Sequence, residues 1–325
     1  MPIFYFSKGR SALYWGLIAL GCDAKSHVLM PDFICDDILQ PFRKVGMTVA
    51  TYEVTDQLEP KWHDVMRHDM PKGGLFLLVH YFGQPSNIRI AENICREKNW
   101  ALVEDNAHGY GARYDGQFLG TFGEMGITSP HKSFWSPYGG LLYLNNEVSS
   151  SFVNSYKILE RERVKIVHWL LRQVLKRFRL LRAIVNSMRK MPAYDNPRAF
   201  RNLDEDFSLR IDVHSEALLS SKTISSLTKA RHHSYESWHK FALLRGLRPV
   251  FSELKDGAMP WCFPAYASSR EERNKWIEWG WKHGHHVYSW PTLPENFLRE
   301  GSEPLKKWCH LICFGINPLD NSELK

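Results

Sequence analysis

The sequence predicts an α/β fold: a largely parallel, doubly covered sheet, followed by a smaller C-terminal α+β portion. Three observations carry this. Short apolar, β-rich runs alternate with helix-like stretches through the first half of the chain, the pattern of strands joined by crossover helices. Those runs are bounded by Gly, Pro or Asp, which punctuate strands. Past about residue 244 the pattern changes to short strands, Pro-rich turns and a helix around 269–283. With 325 residues there is room for a large and a small domain. We expect the first over 1–195, including a basic helical segment at about 151–190, and the second over 196–325, with Pro192 and Pro197 flanking a hinge region.

The elements follow in order. SALYWGLIALG (11–21) has helical spacing and stops on Gly21. HVLMPDF (27–33), MTVATYEV (47–54), GLFLLVHYFG (74–83) and WALVED (100–105) read as strands, with a helix at IRIAENICREKN (88–99). GGLLYLNN (139–146) supplies one more strand, and a further helix is expected over about 215–244. The aromatics of WIEWGWKH (276–283) suit a packed helix.

Composition excludes several classes. The net charge of +7 is concentrated: between Tyr156 and Lys190 eleven Lys or Arg face only Glu160 and Glu162, a local +9, so the remainder is close to neutral. Such a local excess does not make a nucleic-acid binder. The segment's apolar positions (Ile158, Val164, Val167, Leu171, Val174, Leu175, Phe178, Leu181, Val185) fall mostly on one stripe, so its first reading is a solvated basic face over a packed stripe. Attraction of a nucleotide diphosphate and peripheral contact with an anionic membrane are secondary readings. No apolar run approaches the ~18 residues that span a bilayer. The six cysteines are scattered, no secretory signal pattern opens the chain, and the expected location is cytoplasmic. His232-His233 and His285-His286 lack companion ligands at metal spacing, so no metal is expected.

Three stretches are candidates for chemistry. In WALVEDNAHGYGARYDGQFLGTFGEMG (100–126) an apolar strand ends on Asp105, where doubly wound sheets face their ligand; the residue reads equally well as the cap of the next turn. SKGRSALYWGL (7–17) sets Gly9, Arg10 and Ser11 at a helix start, which makes either a phosphate cradle or an ordinary N-cap. SPHKSFWSPYGG (129–140) offers Ser129 and an amine, Lys132, seven residues before a Gly-Gly pair. Alone, Lys132 is a surface charge. An anion cradle, an acid and a lysine at strand ends of one sheet together match what pyridoxal phosphate requires: phosphate donors, an acid for the ring nitrogen, and an amine to hold the aldehyde and move a proton.

These stretches, with HYFGQP (80–85), resemble the DegT/DnrJ/StrS-type sugar aminotransferases of the fold type I pyridoxal-phosphate enzymes, from about Phe6 to Asn146. The carrying pattern is EDxAHxxGA, then GxxxGTFG, then the lysine seven residues before GG. The resemblance implies a mostly parallel seven-stranded large domain. It implies Lys132 as the cofactor-holding lysine, Asp105 as the pyridinium partner, His108 beside the ring, Ser129 on the phosphate, and Arg10 and Ser11 at the phosphate-binding helix. It further implies an amino-acid donor, with glutamate first, a keto sugar acceptor linked to a nucleotide, and a homodimer. The usual ring-stacking aromatic falls on Cys35, with Phe33 as its substitute, and the partner subunit's asparagine has no match. Many members carry a segment ahead of the phosphate motif that this chain is expected to lack. His131 keeps a pyridoxal-dependent sugar dehydratase as an alternative, and the divergent second half keeps a non-catalytic regulatory or scaffolding member.

Overall fold

A computed structural model describes residues 1–133, 136–164, 167, 169–171, 174, 178–198, 206–220, 224–290 and 292–316. Phe134 and Trp135 of the lysine motif, and Lys165, Arg172, Leu175, Lys176 and Arg177 of the basic segment, lie outside the described residues. The chain divides into two compact units. One comprises Met1–Val164, Phe200–Lys222 and Lys255–Met259, the other Lys165–Ala199, Thr223–Leu254 and Pro260–Lys325.

The first unit is built on seven strands: β1 (Ile3–Phe6), β2 (His27–Pro31), β3 (Thr48–Tyr52), β4 (Leu75–Val79), β5 (Ala101–Asn106), β8 (Met125–Thr128) and β9 (Gly140–Leu144). Their order is β1-β9-β8-β5-β4-β2-β3. From β3 to β8 neighbouring strands run parallel, while β9 pairs antiparallel with β8 and with β1. This is the mostly parallel seven-stranded sheet expected. The short β6 (Arg113–Tyr114) and β7 (Gln117–Phe118) form a separate hairpin. β4, LFLLV, is buried at every position, as a strand covered on both faces must be. β1 and β8, at four residues each, are too short to stand out by composition.

The helices of this unit are α1 (Gly9–Ala19), α2 (Leu39–Val45), α3 (Trp62–Arg67), α4 (Ile88–Lys98) and α5 (Ser150–Ile158), with α7 (Val213–Ser220) returning to it later in the chain. α4 shows why its boundaries were legible. Asn87 Oδ1 accepts from the Ile90 N–H at 3.3 Å, and Asn99 ends the helix in the left-handed region at φ 54°.

The second unit has a four-stranded antiparallel sheet, ordered β10 (Arg248–Pro249), β11 (Cys262–Tyr266), β13 (Leu311–Gly315), β12 (Val287–Ser289). Helices α8 (Ile224–Leu244), α9 (Arg270–His283) and α10 (Glu303–His310) accompany it. Its core is aromatic: Tyr235, Trp238 and Phe241 of α8 cluster with Phe263 and Phe314 of the sheet, and Trp276 and Trp279 of α9 pack against them. Phe241 lies edge-on to Trp276 at 5.7 Å and stacked on Trp279 at 5.5 Å. Trp276 and Trp279 of WIEWGWKH are therefore packing residues, as expected.

One expectation fails. Between residues 167 and 188 the apolar stripe is not packed. Among the described residues of that stretch Val167, Leu171, Val174, Phe178 and Leu181 are exposed and Val185 is half-buried; within α6 (Arg179–Ser187) it is the Asn186 edge that meets the protein. Among the described residues no helix is long and apolar enough to cross a membrane.

Candidate active site

The carboxyl ends of parallel strands carry the ligand crevice of open α/β sheets, and the chemistry-bearing residues collect there. β5 ends on Asp105 and Asn106, β8 leads into Ser129 and a single 3-10 turn, Pro130–Lys132, and β4 leads into His80. β2 leads towards Phe33 and Cys35. The start of α1 joins them, because Gly140 of β9 lies against the Lys8 carbonyl and the Gly9 nitrogen.

Two glycines make this approach possible. A Cβ on Gly9 would collide with Ser129 Oγ, so only glycine lets the Ser129 hydroxyl sit against the first turn of α1. A Cβ on Gly140 would collide with the Lys8 carbonyl and come within 2.6 Å of the Gly9 nitrogen, both backbone atoms that cannot swing away. Gly140→Ala is therefore expected to cost about 2 kcal/mol by overpacking. Urea denaturation checks this, and an unchanged midpoint would refute the close-approach reading.

Asp105 is buried and accepts the Ala107 N–H at 2.9 Å. Burial raises its carboxyl above the ordinary value, against the Ala107 N–H, Lys132 and His80, which all favour the ionised form. Lys132 is half-buried, and the protein packed around it lowers its amine below the ordinary lysine value. Asp105 opposes that shift most strongly, followed by Cys35 and Asp37, while Arg10 adds to it. Arg10 is itself ion-paired with Asp37 at 2.9 Å. The lysine and the acid singled out from the sequence thus face each other electrostatically, with Cys35 beside them.

The sign of this coupling is testable without any ligand. Asp105→Asn removes the carboxylate that stabilises the Lys132 ammonium, so the Lys132 amine should titrate at lower pH than in the parent. NMR of the reductively methylated lysine reads this directly. An unchanged or higher titration point would show the two groups to be uncoupled.

His108 is driven well below the usual histidine value by burial, and the Lys132 charge adds to this, so the ring is neutral near pH 7. Its Nδ1 accepts the Phe82 N–H at 3.3 Å, which assigns the proton to Nε2, and the two rings stack at 5.8 Å. Phe82 holds this arrangement in the left-handed region, φ 55°. Ser129 and Ser11 are both buried, and Ser11 Oγ has no hydrogen-bond partner among the described residues. A buried hydroxyl left this way at a helix start is a ready donor to an anion.

His131 has a different place from its neighbour. Its Nδ1 bonds the Gly139 carbonyl at 2.8 Å, closing the loop between the lysine and the Gly-Gly pair. Phe33, by contrast, is fully buried, and its carbonyl accepts the Tyr81 hydroxyl.

Three features escaped the sequence reading. Glu104 is fully buried and accepts four donors: the N–H groups of Gly120 at 2.9 Å, Phe122 at 2.6 Å and Gly123 at 3.0 Å, and the His80 ring at 3.0 Å. His80 Nδ1 accepts the Ser86 N–H at 3.1 Å, so the proton that points at Glu104 is on Nε2. One carboxylate therefore ties the GTFG loop and the β4–α4 turn to β5, beside Asp105. The GTFG signal was visible; its partner in the ED dipeptide was not. The third feature is the segment 206–216. Leu209 accepts the Ser7 N–H at 3.0 Å, and Ser215 Oγ accepts the Tyr138 N–H at 3.3 Å, so this late segment braces both the cradle and the lysine loop.

Residues 5–165 match the model of the DegT/DnrJ/EryC1/StrS aminotransferase family. The chain is 28% identical over 145 residues to a GDP-perosamine synthase of Vibrio cholerae, covering 44% of this chain and 40% of that one. It thus spans about two fifths of the length of the curated relatives it matches. Over 98% of the chain the fold is similar to that of a DegT DnrJ EryC1 StrS aminotransferase from Brucella abortus, with TM-score 0.68, 16% identity and 81% of that chain covered. It is also similar to the E. coli GDP-4-keto-6-deoxy-D-mannose-3-dehydratase with bound hydrated PLP, with TM-score 0.65, 15% identity and coverage of 98% and 84%. One backbone serves both, so side chains must separate the chemistries.

Proposed function

Residues 5–165 belonging to the DegT/DnrJ/EryC1/StrS aminotransferase family, we propose that the protein is a pyridoxal-phosphate-dependent aminotransferase that moves an amino group from an amino acid, glutamate first, to a nucleotide-linked keto sugar. The observation that carries this is the Lys132–Asp105 pair, a lysine amine lowered by burial and coupled to a buried carboxylate at the crevice end of the sheet. Some related sugar dehydratases carry a histidine in place of the lysine; here Lys132 couples to Asp105, and the adjacent His131 bonds the Gly139 carbonyl.

The residues present fit the cofactor. The unpartnered Ser11 Oγ, the Ser129 hydroxyl beside Gly9 and the N–H groups opening α1 suit its phosphate. Asp105 would pair with the ring nitrogen, Lys132 would hold the aldehyde, and the neutral His108 would sit against the ring system. When bound, pyridoxal phosphate supplies an electron sink that makes the proton on the amino-bearing carbon removable. Lys132 Nζ takes that proton in its neutral form and returns it at the neighbouring position, and the lowered basicity enlarges the neutral fraction at physiological pH. Asp105 keeps a positive charge favourable opposite it, while Glu104 holds the surrounding loops still. The donor leaves as a 2-oxo acid, and in the second half-reaction the sugar's C=O becomes C–NH2. We further read the assembly as a cytoplasmic homodimer, by analogy with the family.

The test is direct. Protein loaded with pyridoxal phosphate should absorb visible light, lose that band on adding glutamate, and recover it with a nucleotide-linked keto sugar as mass spectrometry detects the amino sugar. A loaded protein whose band ignores every amino acid, or a deoxy keto sugar as product, would overturn the proposal.

A further inference from the structure

Residues 165–190 contain eight Lys or Arg and no Asp or Glu. Within this stretch α6 packs against α9 and its following turn, and it does so with the wrong edge for an ordinary amphipathic helix. Asn186 Nδ2 donates to the Trp281 carbonyl at 2.9 Å, and Arg179 Nη1 lies 3.3 Å from His285 Nε2. Between them Ala183 meets the α9 terminus so closely that a Cβ on Gly284 would lie 3.2 Å from the Ala183 Cβ. Positions 179, 183 and 186 thus face the protein. The opposite face carries Leu180, Ile184 and Met188, spaced four apart, at 73%, 59% and 81% exposure, with Phe178 beside them at 52%. An amphipathic surface helix normally buries its apolar stripe and turns its charges to water. Here the stripe faces outward, and exposed Arg189 and Lys190 stand at its end. A continuous exposed apolar face of this kind marks an interaction surface.

We propose that α6 is a peripheral membrane-binding element, resting its apolar face in the interface of an anionic lipid surface while Arg189 and Lys190 at its end meet the headgroups. Charge decides the occupant. A second copy docking here through a two-fold axis would set the same patch against itself, bringing together two segments rich in Lys and Arg that lack any acid to pair them. An anionic leaflet offers both complements at once: hydrocarbon for Leu180, Ile184 and Met188, and phosphate for the basic residues. α6 is nine residues long, which suits lying in the interface, and no described helix can span. The inference stands on the surface of the second unit and does not rest on the catalytic reading.

Vesicle co-sedimentation of the full chain tests it, using phosphatidylcholine alone or mixed with phosphatidylglycerol. The parent should sediment with the anionic vesicles at least about tenfold better than with the neutral ones, and salt should release it. Leu180→Glu/Ile184→Glu should fall to the neutral-vesicle level, and the single Met188→Glu should weaken binding in the same direction. These positions are exposed, so an unchanged melting temperature is expected in each variant. Arg189→Gln/Lys190→Gln should bind about 30-fold more weakly, from about fivefold per charge near the surface. Absence of sedimentation with anionic vesicles overturns the proposal, as does binding that survives Leu180→Glu/Ile184→Glu. So does a parent that ignores vesicles but self-associates through this face, with the double variant dissociating in light scattering; the occupant would then be a second copy.

Discussion

Lys132→Ala is expected to abolish amino transfer, lowering turnover by at least about 10³-fold, while leaving the fold intact. The same nitrogen is asked to hold the cofactor and to move a proton, and proton transfer by a placed base alone contributes about 10²–10⁴-fold. The stability side is equally definite. Burial disfavours the Lys132 ammonium in the folded protein, which therefore binds that proton less tightly than the unfolded chain does. Removing the amine removes that cost, and the Asp105 carboxyl left behind keeps its Ala107 N–H and can take up a proton. The melting temperature should stay within about 3 °C of the parent, since small net changes move it only a few degrees. Turnover of loaded protein and a circular dichroism melt check both halves. Residual turnover above a few per cent would move the base elsewhere. Lost activity with a collapsed melt would make Lys132 structural.

Glu104→Ala should do the reverse and strike the fold first. Four donors converge on this buried carboxylate, from Gly120, Phe122, Gly123 and His80. Alanine satisfies none of them, and each buried donor left unpaired costs about 1–3 kcal/mol. Even after partial relaxation the loss should reach about 4 kcal/mol, a large share of the ~5–15 kcal/mol that holds a domain together. We expect little soluble protein at 37 °C. Glu104→Gln keeps the shape and one acceptor oxygen but turns an NH2 towards N–H donors, so it should recover only part of the stability. Thermal melts of both variants decide the matter. A drop of less than about 3 °C for the alanine variant would show that the loops hold without this carboxylate. Because Glu104 adjoins Asp105, any surviving variant should also bind pyridoxal phosphate more weakly.

The sequence by itself determines the parallel sheet, five of its seven strands, the helices opening at Gly9, Ile88 and Arg270, and the choice of Asp105 and Lys132 as a pair to test. The reason is physical: those features are written in local signals. Apolar runs such as LFLLV report burial on both faces, Asn87 and Asn99 bracket a helix through their own backbone preferences, and EDxAHxxGA, GTFG and the lysine spacing preserve a chain geometry that few other residues satisfy. Gly9 and Gly140 belong to the same class, although what each glycine admits became visible only when Ser129 and Lys8 were placed against it.

Only the tertiary structure decided the rest. Glu104 looked like one more acid beside Asp105 until its four donors came together from two loops distant in the chain. That the His131 ring bonds the Gly139 carbonyl, closing the loop after Lys132, is visible only in the structure. The segment 206–216 carried no motif, yet it braces the start of α1 and the lysine loop. The basic helix is the sharpest case. Periodicity identifies a face that avoids water, but it cannot say what covers that face. In α6 the neighbours Trp281, Gly284 and His285 take the edge of Arg179, Ala183 and Asn186; Leu181 of the expected stripe stays exposed, and so do Leu180, Ile184 and Met188, which that stripe did not include. A pattern along one chain fixes which residues share a side; which side is buried depends on elements that arrive from elsewhere in the fold.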